Sequence, residues 1–126
     1  MTTKISLFAD CLDRVVVLKK QKSYDLAWTE ANDALVKLKQ SRCGEWFMMY
    51  YQMADILARE KKWSNALEKM GLCIHYLGGL GGNTHANFVM RLLRKIGKPQ
   101  KFDAYVEAMK RSKPDKISTT LQELLG

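Results

Sequence analysis

Cys73, His75 and His85 bracket the glycine run Gly78-Gly79-Leu80-Gly81-Gly82 and are the side chains best suited by type to ligate a metal or move a proton. A tetrahedral metal site needs several such ligands converging. A Cys and a His two residues apart leave a helix on different sides, so the set is thin and no metal is expected. Neither histidine has an acid or a cysteine at helical spacing to orient it, and no nucleophile can be paired with a base. Paired carboxylates for acid–base work would have to come from Asp10 and Asp13, Asp55 or Glu60; Asp10 and Asp13 share a helix face and read as solvated. A glycine run ahead of a helix can cradle phosphate, but this one lacks the Gly-Lys-Ser/Thr ending and follows no strand. It reads as a helix end and hinge. The expectation is a chain with no catalytic residues and no cofactor.

Electrostatics offers a second kind of chemistry. The formal charge is +8. Residues 91–116 hold nine basic and three acidic side chains, a surplus of six of those eight charges. Such a field attracts acidic protein surfaces or nucleic-acid backbones. Arg91, Arg94, Lys95, Lys98 and Lys101 are the candidates for nucleic-acid contact. No glycine-aromatic RNA motif or zinc-finger spacing accompanies them, so base readout is not indicated.

These residues need a scaffold, and its class follows from composition and periodicity. The chain has 126 residues, 47% of them hydrophobic, which suits one domain or a short repeat array. No apolar run approaches the roughly 20 residues of a membrane span, and the first residues lack the apolar core of a signal peptide. Cys11, Cys43 and Cys73 are odd in number and widely spaced, as for reduced thiols in a cytoplasmic protein. Three-four spacing predicts helices over about 4–20 (Ile5, Phe8, Leu12, Val15 and Leu18 or Lys19 buried), 24–40, 45–59, 62–77, 84–96 and 100–111, with a short last one over 117–125. Thr2 or Thr3, Ser23, Asn83 or Thr84, and Asp115 or Ser118 are the expected N-caps. The third helix, opening Trp46-Phe47-Met48-Met49-Tyr50-Tyr51, is apolar nearly all round and should be buried on two sides.

Three stretches share one pattern: Lys-Ser-Tyr24-Asp-Leu-Ala27, Lys-Lys-Trp63-Ser-Asn-Ala66 and Gln-Lys-Phe102-Asp-Ala-Tyr105, the aromatics 39 residues apart. Each aromatic follows a basic turn and opens the second helix of a hairpin. With Val15, Leu18, Ala31, Ala34 and Leu35 in the first hairpin, and Tyr50, Ala54, Leu57, Leu67, Met70 and Cys73 in the second, this resembles the tetratricopeptide family. The period is 39 instead of 34, Val15 and Tyr105 stand where the family has small residues, and no hairpin carries the closing proline. The resemblance implies an all-α stack of antiparallel hairpins (about 4–40, 45–77 and 84–111) forming a short superhelix, capped by the helix over 117–125.

It also implies a concave groove lined by the first helix of each hairpin. By that placement the groove holds Val16, Lys20, Met48, Tyr51, Asp55, Arg59, Asn87, Met90, Arg94 and Lys98, an apolar middle with a basic edge. Leu12 and Val16 stand where the carboxylate clamp of some family members needs polar groups, which disfavours binding of chaperone tails. The functional expectation is a non-catalytic protein-interaction module — adaptor, small chaperone or complex subunit — that takes a peptide or helix with acidic flanks. Nucleic-acid binding through the basic region is the alternative. Trp46-Phe47 is a candidate homodimer surface.

Overall fold

The computed structural model describes the backbone of residues 4–126 and the side chains from Leu7 onward, so the expected caps at Thr2 or Thr3 and the burial of Ile5 lie outside the described residues. Seven α-helices follow one another: α1 Lys4–Lys20, α2 Tyr24–Gln40, α3 Met49–Arg59, α4 Trp63–Leu77, α5 Asn83–Lys95, α6 Phe102–Arg111 and α7 Ile117–Leu125. There is no strand among the described residues. Single 3-10 turns lead into α3 (Trp46–Met48), α6 (Pro99–Lys101) and α7 (Pro114–Lys116). Tyr24, Trp63 and Phe102 are each the first residue of their helix, as the repeated pattern predicts. No described helix is long and apolar enough to cross a membrane.

One backbone device ends five of the helices. Lys22, Arg42 and Lys61 take the left-handed conformation, with φ of 59°, 55° and 62°, as do Gly78 and Gly97 at 85° and 75°. In each case the next amide reaches back to the last turn: Ser23 to Leu18 O, Cys43 to Leu38 O, Lys62 to Leu57 O, Gly79 to Ile74 O and Lys98 to Leu93 O, all within 2.8–3.1 Å. This bond satisfies a carbonyl that the helix end would otherwise leave open.

The N-termini differ from expectation. Ser23 occupies the cap position of α2, but its hydroxyl makes no capping bond. Gly82 and Lys116 hold that position in α5 and α7, displacing Asn83 or Thr84 and Asp115 or Ser118. Before α7 the 3-10 turn already engages the amide of Lys116 with Lys113 O at 2.8 Å, so the chain enters the helix from a turn and not from a side-chain cap.

α1 with α2, and α3 with α4, form closely packed hairpins, and α3 also lies on α2. Ala27, Ala31 and Ala34 on α2 are buried, and their small size permits that approach. Met49, Met53 and Ile56 of α3 join the core of the first hairpin, while Ala54, Leu57 and Ala58 join the core shared by α4 to α7. The near-continuous apolar surface of α3 is thus used on both sides. On α1 the buried line is Cys11, Val15 and Lys19, with Phe8, Leu12 and Leu18 only half-buried. The line is rotated from the one expected because the Lys19 ammonium has partners on α3.

The third pair departs from the first two. α6 lies chiefly on α4 and touches α5 little. Tyr105, where the other hairpins have Ala27 and Ala66, is fully buried and donates its hydroxyl to Leu67 O at 2.6 Å. Gly71, inside α4, is buried beneath α6: a Cβ there would collide with Met109 Sδ. α7 then covers α4 and α6 with Ile117 and Leu121. α4 is therefore the element on which α3, α5, α6 and α7 all rest.

Candidate functional site

Lys19 closes the buried line of α1 and is 7% exposed. Its Nζ lies 2.7 Å from Asp55 Oδ2 and 2.5 Å from Gln52 Oε1, both on α3. Arg59, one turn beyond Asp55, donates Nε to the same oxygen at 3.1 Å. Burial pushes the Asp55 carboxyl up, but the bonds and charges of Lys19 and Arg59 outweigh it and hold the group below its ordinary value. The carboxylate fixes two cations, one buried beneath it and one at the surface.

Beyond Arg59 a pocket of about 400 Å³ opens between α3, the start of α4 and α5, lined by Asp55, Ala58, Arg59, Trp63, Arg91 and Lys95. Lys95 Nζ stands 5.5 Å from the centre of the half-buried Trp63 ring, and the Arg91 guanidinium 5.3 Å from Phe88. These ring contacts locate the cations without neutralising them. Among the described residues neither Arg91 nor Lys95 forms a salt bridge, whereas Arg59 is tied to Asp55. The lining carries three positive charges and one negative, and that negative is also shared with Lys19. Such a site attracts an anionic group and offers it an indole flank.

Asp55 and Arg59 come from the groove set and Arg91 and Lys95 from the basic set, so two groups separate in sequence meet at one pocket. The other expected groove residues lie outside its lining. Val16, Met48, Met90 and Lys98 are half-buried, and Lys20, Asn87 and Arg94 are exposed. Tyr51 links α3 to α5, its ring stacked on His85 at 5.0 Å and edge-on to Phe88 at 5.2 Å. Arg94 is exposed and Lys101 half-buried, and with Lys98 they too form no salt bridge among the described residues. Sequence reasoning missed Ala58, and it placed Trp63 only as the aromatic that opens the second helix of its hairpin; the ring packs on the core and also walls the pocket. The sequence left Leu18 and Lys19 as alternatives for the last buried position of α1, and the four-residue spacing from Cys11 through Val15 selects Lys19.

The residues singled out for metal or proton chemistry are engaged separately. His85 Nδ1 accepts the Gly81 amide at 2.8 Å, which ties the glycine loop to α5 where a hinge was expected, and burial lowers the imidazole pKa. A Cβ on Gly81 would fall within 2.6 Å of that ring. Burial pushes the Cys73 thiol up to about 11, against a smaller opposing effect of a backbone bond at Tyr51, so it is a protonated core group. His75 Nδ1 is buried without a hydrogen-bond partner among the described residues. The Trp46-Phe47 surface is partly spent within the chain: Trp46 packs on Tyr76 at 4.8 Å and Lys39 lies 5.0 Å from its ring.

Compared with protein-family models, with curated proteins and with solved structures, the chain matches none.

Proposed function

We propose that this chain is a non-catalytic protein-interaction module, a tetratricopeptide-like stack that binds a peptide or helix with acidic flanks across α3 and α5. The observation carrying this reading is the pocket that Arg59, Arg91 and Lys95 line together with Trp63, in which, among the described residues, only Arg59 of the three is charge-paired. Cations in a part-enclosed site steer acidic partners and reject basic ones, and the indole adds apolar contact. Two tight hairpins whose second helices open on Tyr24 and Trp63 support the family likeness. The third pair, with Tyr105 buried on α4, is this chain's own variation. Three unpaired, buried cysteines suit a reducing, cytoplasmic setting.

The test is a degenerate peptide array probed with the purified protein. Enrichment of acidic sequences, lost in an Arg59→Glu, Lys95→Glu variant of unchanged helicity, is the expected result. Uniform binding across the array, or binding unaffected by the reversal, rules the reading out. A second reading, nucleic-acid binding, is favoured by one observation: Arg91, Arg94 and Lys95 share one side of α5, with Lys98 following, and all four lack salt bridges among the described residues. Salt-titrated binding of RNA and DNA oligonucleotides decides it. Affinity that falls steeply with salt and is abolished by reversing Arg91, Arg94 and Lys95 supports it.

A further inference from the structure

We infer that the pocket between α3, α4 and α5 accepts a phosphorylated side chain of the partner peptide, so that phosphorylation of the partner switches binding on. This rests on the protein-interaction reading and names the group that the site selects. Three cations line a space of about 400 Å³, which accommodates a tetrahedral oxyanion and the start of its side chain. Each has a defined support: Arg59 is braced by Asp55 through Nε and its guanidinium also meets the Tyr24 side chain, Arg91 lies against Phe88, and Lys95 lies over Trp63.

Charge and donor geometry choose between the acidic groups. A carboxylate brings one negative charge and two oxygens, too few for Arg59, Arg91 and Lys95 together. A phosphoryl group brings close to two charges and three terminal oxygens, and arginine donates to it in paired fashion. The single carboxylate of the lining, Asp55, is already bound by Lys19 and Arg59 and is no counter-ion for Arg91 or Lys95. A peptide is favoured over a nucleic-acid strand by the state of the one indole here. Lys95 covers the face of Trp63, and the ring is half-buried against the core, so it is not a free platform for a stacked base.

The test uses the whole chain and three labelled degenerate peptide pools that are identical except at one fixed position, which carries phosphoserine, glutamate or serine. Binding is read by fluorescence anisotropy, and the Trp63 indole N–H resonance is followed while inorganic phosphate is added. The phosphoserine pool is expected to bind at least about tenfold more tightly than the glutamate pool, since it adds charge-assisted bonds to two arginines. Phosphate should shift the Trp63 signal. In the Arg91→Gln, Lys95→Gln variant the preference should vanish with helicity unchanged and the thermal midpoint only slightly lowered, because both residues are exposed and each gives up one ring contact. Equal binding of the glutamate and phosphoserine pools overturns the phosphate assignment and leaves the acidic-partner reading standing. Failure of every pool to bind overturns both. A phosphoserine preference that survives in the variant, or stronger binding of a single-stranded RNA oligonucleotide than of any pool, also overturns it.

Discussion

Asp55 holds Lys19 on one side and Arg59 on the other, and the two cations do not depend on it equally. Lys19 is nearly buried, so removal of Asp55 strands an ammonium with only Gln52 as partner. Asp55→Asn should cost about 3 kcal/mol, the scale for breaking one side of a buried ion pair. Lys19→Met leaves Asp55 still bonded to the half-exposed Arg59 and fills the space with an unbranched apolar chain, so it should cost about 1 kcal/mol or less. Urea unfolding of both variants measures the asymmetry, and equal losses would mean that the ammonium is better solvated than its burial indicates. His85 supplies a pH dependence of its own. Its folded-state pKa lies below the ordinary 6.5 through burial. As pH falls through 6.5 the unfolded chain takes up the proton first, so stability declines from there down toward the lowered folded value. Protonation also removes the acceptor for the Gly81 amide. Urea midpoints measured between pH 7.5 and about 5 should fall in the wild type and fall less in His85→Gln. Identical slopes would show that His85 is not the group responsible.

The turns carry a cost at the level of the element. Lys22, Arg42 and Lys61 sit in the left-handed region at about 1–2 kcal/mol each for a residue with a Cβ. Glycine fills the same place after α4 and α5. Lys61 is exposed and forms no salt bridge among the described residues, so Lys61→Gly should stabilise the chain by about 0.5–1 kcal/mol after the greater unfolded-state freedom of glycine is subtracted. A lowered thermal midpoint would show that the lysine chain contributes packing there. The pattern Lys22, Lys61, Gly97 also marks the first turn of each hairpin in the backbone, where the sequence comparison showed only a basic stretch before an aromatic.

For the whole molecule the decisive contact is the seat of α6 on α4. Tyr105 is fully buried with its hydroxyl on Leu67 O, while Trp63 is half-buried on the wall of the pocket. Tyr105→Ala should therefore lose about 3–5 kcal/mol, the range for truncating a buried aromatic. Trp63→Ala should lose about 2 kcal/mol, since much of its ring is already in contact with water. Denaturant unfolding followed by circular dichroism checks both. If Trp63 proved the more costly, the corner between α3 and α4 would matter more than the docking of the last helices.

Periodicity determined the number of helices, their approximate bounds and the two-sided burial of α3, because three-four spacing of apolar residues is a local property of the chain. The aromatic series Tyr24, Trp63 and Phe102 placed three helix starts for the same reason. Ser23 reached its expected cap position without capping, and the caps of α5 and α7 fell a residue or two from those expected; before α7 a main-chain turn, which leaves no side-chain signature, takes that place. The sequence left Leu18 and Lys19 open as the last buried position of the first helix, because a buried lysine is tolerable only beside a carboxylate, and that carboxylate lies 36 residues away on α3. Likewise Asp55 and Arg59 fell into one expected set and Arg91 and Lys95 into another. Only the packing of α3 and α5 on α4 puts them around one space, since nothing in local spacing reports the distance between side chains on different helices.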